Sequence, residues 1–143
     1  MVTTSLSNLS LVKLFRGIGY LSGARCEDAL SNEVAIMLRN LSLDGKLVGV
    51  WFHIPNESVS RSKLDIFRLI KKQKMGMISG IPDFAFMSND KSLFIELKYG
   101  DNSLSESQRL VKEWSECMCI PHEVCRTSDE VMDVLCKYNW VIE

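Results

Sequence analysis

Two short apolar runs, Asp83 to Met87 and Leu93 to Lys98, lie on either side of the polar stretch Ser88-Asn89-Asp90-Lys91. A polar connection of that length between β-prone runs predicts an antiparallel hairpin, and a hairpin fixes which residues oppose each other. Side chains alternate along a strand, so Phe94, Glu96 and Lys98 fall on one face and Leu93, Ile95 and Leu97 on the other. Pro82 holds Ile81 extended and so presents Asp83 at a fixed point where the first strand begins. Asp83, Glu96 and Lys98 are therefore expected to share one ligand. Two carboxylates and an ammonium gathered at strand ends suit a divalent cation and a phosphodiester. Taken alone, Glu-x-Lys has a plainer account, alternating charge on a solvated strand face.

The rest of the chain reads as a mixed α/β order. Glu27 to Asn40 predicts a helix with Ala29, Leu30, Ala35, Ile36 and Leu38 among its apolar positions, stopped by the Asp44-Gly45 turn. Leu47 to Ile54, rich in Val, Trp and Phe, predicts a strand buried on both sides and ended by Pro55 and Asn56. Arg61 to Lys74 spaces Leu64, Phe67 and Ile70 on a helical face. Gly76 and Gly80 bracket a loop where backbone turns tightly or approaches something closely. Ser103 with Glu106 predicts a capping box opening a helix to Cys117, with Leu104, Val111, Trp114 and Met118 as its apolar face and Gln108 beside that face. Ile120 to Arg126 predicts a fourth strand, and Thr127 with Glu130 caps a last helix carrying Val131, Leu135 and Tyr138. A right-handed crossover makes that fourth strand parallel to a neighbour.

The 143 residues fit one domain, large enough to bury roughly two-thirds of its unfolded surface. Cys26, Cys117, Cys119, Cys125 and Cys136 are odd in number and lack a framework spacing, which points to reduced thiols in an intracellular protein. Cys117, Cys119, His122 and Cys125 resemble a zinc set, but an alternating strand would make those side chains diverge. No run approaches the roughly 20 apolar residues of a membrane span, so a soluble protein is expected. A formal net charge of −1 argues against coating nucleic acid by bulk attraction. The cations cluster instead in Arg61, Lys63, Arg68, Lys71, Lys72 and Lys74, opposed only by Asp65. That stripe is either a solvated helix face or a phosphate-contacting one.

The ordered series Glu33, His53-Ile54-Pro55-Asn56-Glu57, Gly76-Met77-Ile78-Ser79-Gly80-Ile81-Pro82-Asp83, Glu96-Leu97-Lys98 and Gln108 resembles the VRR-NUC family of the PD-(D/E)XK nuclease superfamily. The match runs from Ser31 to Tyr138, within a nuclease-like domain taken as residues 26–143. Residues 1–25 are an N-terminal extension, in which Leu9, Leu11, Leu14, Phe15 and Ile18 serve either a dimer interface or the monomer's own core. The resemblance implies a restriction-endonuclease-like αβββαβ core, a mixed central sheet flanked by helices. It implies Mg²⁺ or Mn²⁺ held by Glu33, Asp83, Glu96 and the backbone carbonyl of Leu97. Lys98 would stand beside the attacking water. Gln108 matches the family's helix glutamine and would orient water or Lys98; a surface amide is the alternative. His53 and Asn56 are expected to contact DNA or shape the site, with a structural, hydrogen-bonded His53 as the other reading. Arg61, Lys63, Lys71, Lys72 and Lys74 are the candidates for phosphate contacts.

The function so implied is a metal-dependent, structure-specific DNA endonuclease acting on branched DNA such as Holliday junctions, working as a homodimer. Its setting would be a bacterial cytoplasm, a virus-infected cell or a eukaryotic nucleus. The alternative is a catalytically weak nucleic-acid-binding module of a larger complex. A regulatory protein acting through its acidic C-terminal region rests on charge alone.

Overall fold

A computed structural model of the chain describes residues 8–16, 19, 26–55 and 62–143. Its elements are α1 (Asn8–Leu14), α2 (Cys26–Leu43), β1 (Val50–His53), α3 (Lys63–Lys74), β2 (Phe84–Met87), β3 (Ser92–Leu97), α4 (Glu106–Cys117), β4 (His122–Cys125) and α5 (Ser128–Lys137). Among the described residues the strands form one sheet in the order β1-β2-β3-β4. β2 and β3 pair antiparallel with Phe84 opposite Ile95, the expected hairpin, and β3 and β4 pair parallel with Leu97 opposite Cys125. The chain thus has the restriction-endonuclease-like αβββαβ order, a mixed sheet flanked by helices, with α3 inserted between β1 and β2. No described helix is long and apolar enough to cross a membrane.

The core lies where α2 and α5 cover one face of the sheet. Leu30, Val34 and Leu38 recur at helical spacing on α2 and meet Leu93, Ile95 and Leu97 of β3, Val131 and Leu135 of α5, and Trp140. Thr127 caps α5 by accepting from the amide of Glu130 at 3.1 Å, while the Glu130 carboxylate reaches back to the Arg126 amide at 2.6 Å. Cys125 is buried in this core, whereas Cys117 at the end of α4 and Cys119 after it are exposed. α1 packs on α2, and Phe15 stacks on Trp51 at 6.0 Å between ring centroids. These residues of the extension make monomer contacts; Leu9 and Ile18 lie outside the residues whose side chains are described.

Three sequence expectations are corrected. β1 is an edge strand, shorter than Leu47 to Ile54, and Val50 and Phe52 are each more than half exposed. An edge strand pairs on one side only, so its Val, Trp and Phe content reflects β propensity rather than two-sided burial. α4 begins two residues later than Ser103 predicted, with Ser105 as its cap and Gln108 completing the capping box. Its buried side is Val111 and Ser115; Leu110, Trp114 and Met118, four residues apart, form an exposed ridge.

α3 is capped by Ser62 and has no buried residue, so Leu64, Phe67 and Ile70 are exposed together with Lys63, Lys71, Lys72 and Lys74. The loop after it returns to the body at Gly80. There φ is +83°, and a Cβ would stand 2.4 Å from the Ser107 carbonyl carbon and 2.6 Å from the Gln108 nitrogen. Gly80 is therefore required twice, by its backbone conformation and by the close approach of the first turn of α4. Gly80→Ala is expected to cost roughly 2 kcal/mol or more, a fall of about 6 °C in melting temperature for a chain this size. Thermal denaturation followed by circular dichroism checks it, and an unchanged midpoint would remove this contact from the fold's requirements.

Candidate active site

The ends of β2 and β3 and the first turns of α2 and α4 meet at one place. Asp83 ties the strands together there: its carbonyl accepts from the Ile54 amide at 2.8 Å and its Oδ2 accepts from the Leu97 amide at 2.7 Å. The hydrogen bond from the Leu97 amide fixes the carboxylate against the end of β3, whose residue Glu96 feels its charge. Glu96 is 2% exposed and Lys98 8%. Lys98 Nζ stands 3.5 Å from Glu96 Oε1, and Gln108 Nε2 donates to the same oxygen at 2.6 Å. Gln108 Oε1 in turn accepts from the Ser105 amide at 2.9 Å. One glutamine side chain thus closes the capping box of α4 and holds the central carboxylate.

Glu96 Oε2 is buried and has no hydrogen-bond partner among the described residues. A buried carboxylate oxygen left without a donor is costly and calls for a cation or a proton. Burial, then the charge of Asp83, push the Glu96 pKa up to about 7, against the opposing pull of Lys98. Glu27, in the first turn of α2, adds a smaller upward push. Glu27 lies three residues before Leu30 and seven before Val34, so it extends the core-facing stripe of α2 to the rim of the site.

Of the residues expected from the sequence, Asp83, Glu96, Leu97, Lys98 and Gln108 are brought together. Glu33 is not among them. It is exposed and accepts from Ser128 Oγ at 2.6 Å, joining α2 to the start of α5. Of the two α2 carboxylates, Glu27, exposed at the start of the Leu30 stripe, is the one whose charge acts on Glu96, and its push is the smallest of those that raise the Glu96 pKa. His53 is exposed at the end of β1, its ring 5.1 Å from Phe84, one residue past Asp83 in the neighbouring strand. Lys63, Lys71, Lys72 and Lys74 lie on α3. Asn56, Glu57 and Arg61 fall outside the described residues.

Among the described residues no three His, Cys, Asp or Glu side chains are gathered closely enough to hold an ion by themselves. The donors present still fit Mg²⁺ or Mn²⁺. Such ions take one or two carboxylates and complete their shell with water and substrate phosphate. Asp83 with the unpartnered Oε2 of Glu96 is that kind of pair. Without a cation, ionising Glu96 is unfavourable. The sign follows from a folded pKa of about 7 against an ordinary 4.5: the folded state holds the proton more tightly, so stability falls as pH rises from 4.5 to 7 and is level above that. The unfolding free energy of metal-free wild type relative to Glu96→Gln should drop across this window by up to roughly 3 kcal/mol. Urea titrations at pH 5, 6, 7 and 8 measure the difference, and a flat difference would contradict the buried, repelled carboxylate.

No family model and no curated protein matches the sequence. Among solved structures the chain is similar to one described as a VRR_NUC domain protein. The TM-score is 0.57 and the identity 22%, over 82% of this chain and 90% of that one. At that identity the similarity establishes the fold, a VRR-NUC fold, and leaves the chemistry to the residues.

Proposed function

We propose that this chain, with the VRR-NUC fold, is a metal-dependent nuclease that hydrolyses DNA phosphodiesters at the Asp83, Glu96 and Lys98 site. The observation that carries the reading is Glu96 Oε2, a buried acceptor without a donor, next to a second carboxylate and a lysine. Mg²⁺ or Mn²⁺ bound here would supply a Lewis acid against the phosphate and make water a stronger acid. The residues do the rest by placement. Asp83 is fixed by the Leu97 amide and Glu96 by Gln108, so both carboxylates are oriented before any ligand arrives. Lys98 brings positive charge to the point where a phosphate gains negative charge during attack, and it does so in a site sheltered from water. The first turns of α2 and α4 both end at this site, and the N-terminal amides of a helix favour an anion. Gln108 is a positioning residue on this account, acting on Glu96 rather than on Lys98 or water.

The cations of α3 suit phosphate contacts that position DNA without reading its sequence. His53, exposed at the β1 end, borders the same region. The finer reading is a structure-specific endonuclease on branched DNA, Holliday junctions included. A homodimer is proposed with it, since two-fold pairing supplies two matched sites for two cuts and the exposed ridge of Leu110, Trp114 and Met118 supports self-association. A catalytically weak binding module is the competing reading. It is favoured by the lack of a third converging carboxylate among the described residues.

Cleavage of end-labelled four-way junction, flap, duplex and single strand with Mg²⁺ or Mn²⁺ separates the two. Wild type is expected to cut at least one substrate, Asp83→Ala to cut none, and Lys98→Met to fall by at least about a hundredfold while keeping its melting temperature. No Asp83-dependent cutting would hand the site to the binding module. Metal binding has its own readout in stability. A ligand at a hundred times its Kd stabilises by about 2.7 kcal/mol, so millimolar Mg²⁺ or Mn²⁺ should raise the melting temperature by several degrees. Glu27→Gln is expected to shrink that rise and Glu33→Gln to leave it intact. The opposite pattern would return the helix ligand to Glu33.

A further inference from the structure

α3 buries none of its 12 residues, whereas α2, α4 and α5 each bury part of theirs. Asp65 and Leu69 are its only half-buried residues, and at a spacing of four they lie on one side of the helix. Phe67 is two residues from each, which places it on the opposite side, and it is 67% exposed. Lys63 and Lys71, one turn to either side of Phe67, and Lys74, two turns on, share that outward side and are exposed. Leu64 and Ile70 border it and are exposed as well, while Arg68 is paired with Asp65 at 3.8 Å. Apolar and cationic side chains are thus interleaved along one solvent-facing row. Cation, aromatic ring and cation follow each other about 6 Å apart along the helix axis.

Lysines in the last turn complement the negative end of the helix dipole, which accounts for Lys71 and Lys74 but neither for Lys63 nor for an aromatic ring held in water. A helix that lies on a membrane segregates its apolar side chains from its cations. Here the ring stands between ammoniums, so sinking it into lipid would carry them in too. Uninterrupted duplex offers phosphates to the lysines but only covered base faces to the ring. A strand with unpaired bases offers both, and a cationic track with an aromatic side chain on it is how such strands are held. We infer that α3 is a binding face for unpaired nucleotides, with Lys63, Lys71 and Lys74 on phosphates and the Phe67 ring stacked on a base. This rests on the nucleic-acid reading of the α3 cations and does not depend on cutting. It adds that the helix prefers single strands, flaps and the open arms of junctions to closed duplex.

Fluorescence anisotropy in EDTA, where no cutting intervenes, reads binding to three labelled probes: a single strand, the same sequence as closed duplex, and that single strand with abasic sites throughout. Phe67→Ala is expected to weaken binding of the single strand about fivefold to a hundredfold, and Phe67→Tyr to stay within about twofold of wild type. Closed duplex and abasic strand should bind wild type and Phe67→Ala alike. Lys71→Gln should weaken all three and flatten their salt dependence. Because Phe67 is exposed, its variants should keep the wild-type melting temperature. Equal losses on all three probes in Phe67→Ala, or no loss on the single strand, would overturn the stacking face. Vesicles containing phosphatidylserine that bind wild type but not Phe67→Ala, with no Phe67 effect on the single strand, would assign the helix to a membrane instead. Should wild type bind none of the probes, the nucleic-acid reading of α3 falls as well. Should it bind all of them without regard to Phe67, the stacking face alone falls.

Discussion

The Glu96 carboxylate is the group on which the arrangement of this protein turns. It is buried on the central strand β3, and its Oε1 takes a hydrogen bond from Gln108 and the charge of Lys98. Gln108 also closes the cap of α4, so the start of that helix and the orientation of the carboxylate cannot be set independently. Gly80 is drawn into the same junction, because the backbone before β2 comes within a side chain's breadth of Ser107 and Gln108. Three segments are thus registered against one another, β3 and α4 by a polar contact and the loop before β2 by close backbone approach. Buried polar groups that are satisfied in one geometry only specify that geometry.

The hairpin was legible because its signal is local. Alternating apolar residues and a four-residue polar connection determine the pairing of β2 with β3 without reference to the rest of the chain. The start of α4 was ambiguous for the opposite reason. Ser103-x-x-Glu106 and Ser105-x-x-Gln108 both satisfy the capping-box pattern, and the choice between them is made by Glu96 and Gly80, which are distant in sequence. Edge position is similarly invisible: Val50 and Phe52 carry the composition of a buried strand, and only the sheet order exposes them.

The helix carboxylate shows how a resemblance and a periodicity can disagree. Glu27 and Glu33 are six residues apart, which on an α-helix is about a third of a turn away from the same side. Only one of them can continue the Leu30, Val34, Leu38 stripe, and spacing assigns that place to Glu27. Glu33 is engaged by Ser128 on another side of the helix.

Stability and chemistry are opposed at this site in a way that a cation resolves. Packing Asp83 beside a carboxylate with an unpartnered oxygen raises the cost of the ionised state, and Lys98 offsets only part of it. The same geometry would be relaxed by filling the site with apolar side chains, which usually costs a fold nothing. Keeping two acids where burial and a neighbour's charge oppose the ionisation of one makes sense when an ion or a phosphate-bound ion arrives to accept both. α3 stands in contrast: its apolar and cationic side chains face solvent together. A carboxylate pair short of a cation and a solvent-facing cationic helix on the same small domain are complementary, and the polyanionic ligand of the proposed function, carrying its own divalent cations, would suit both.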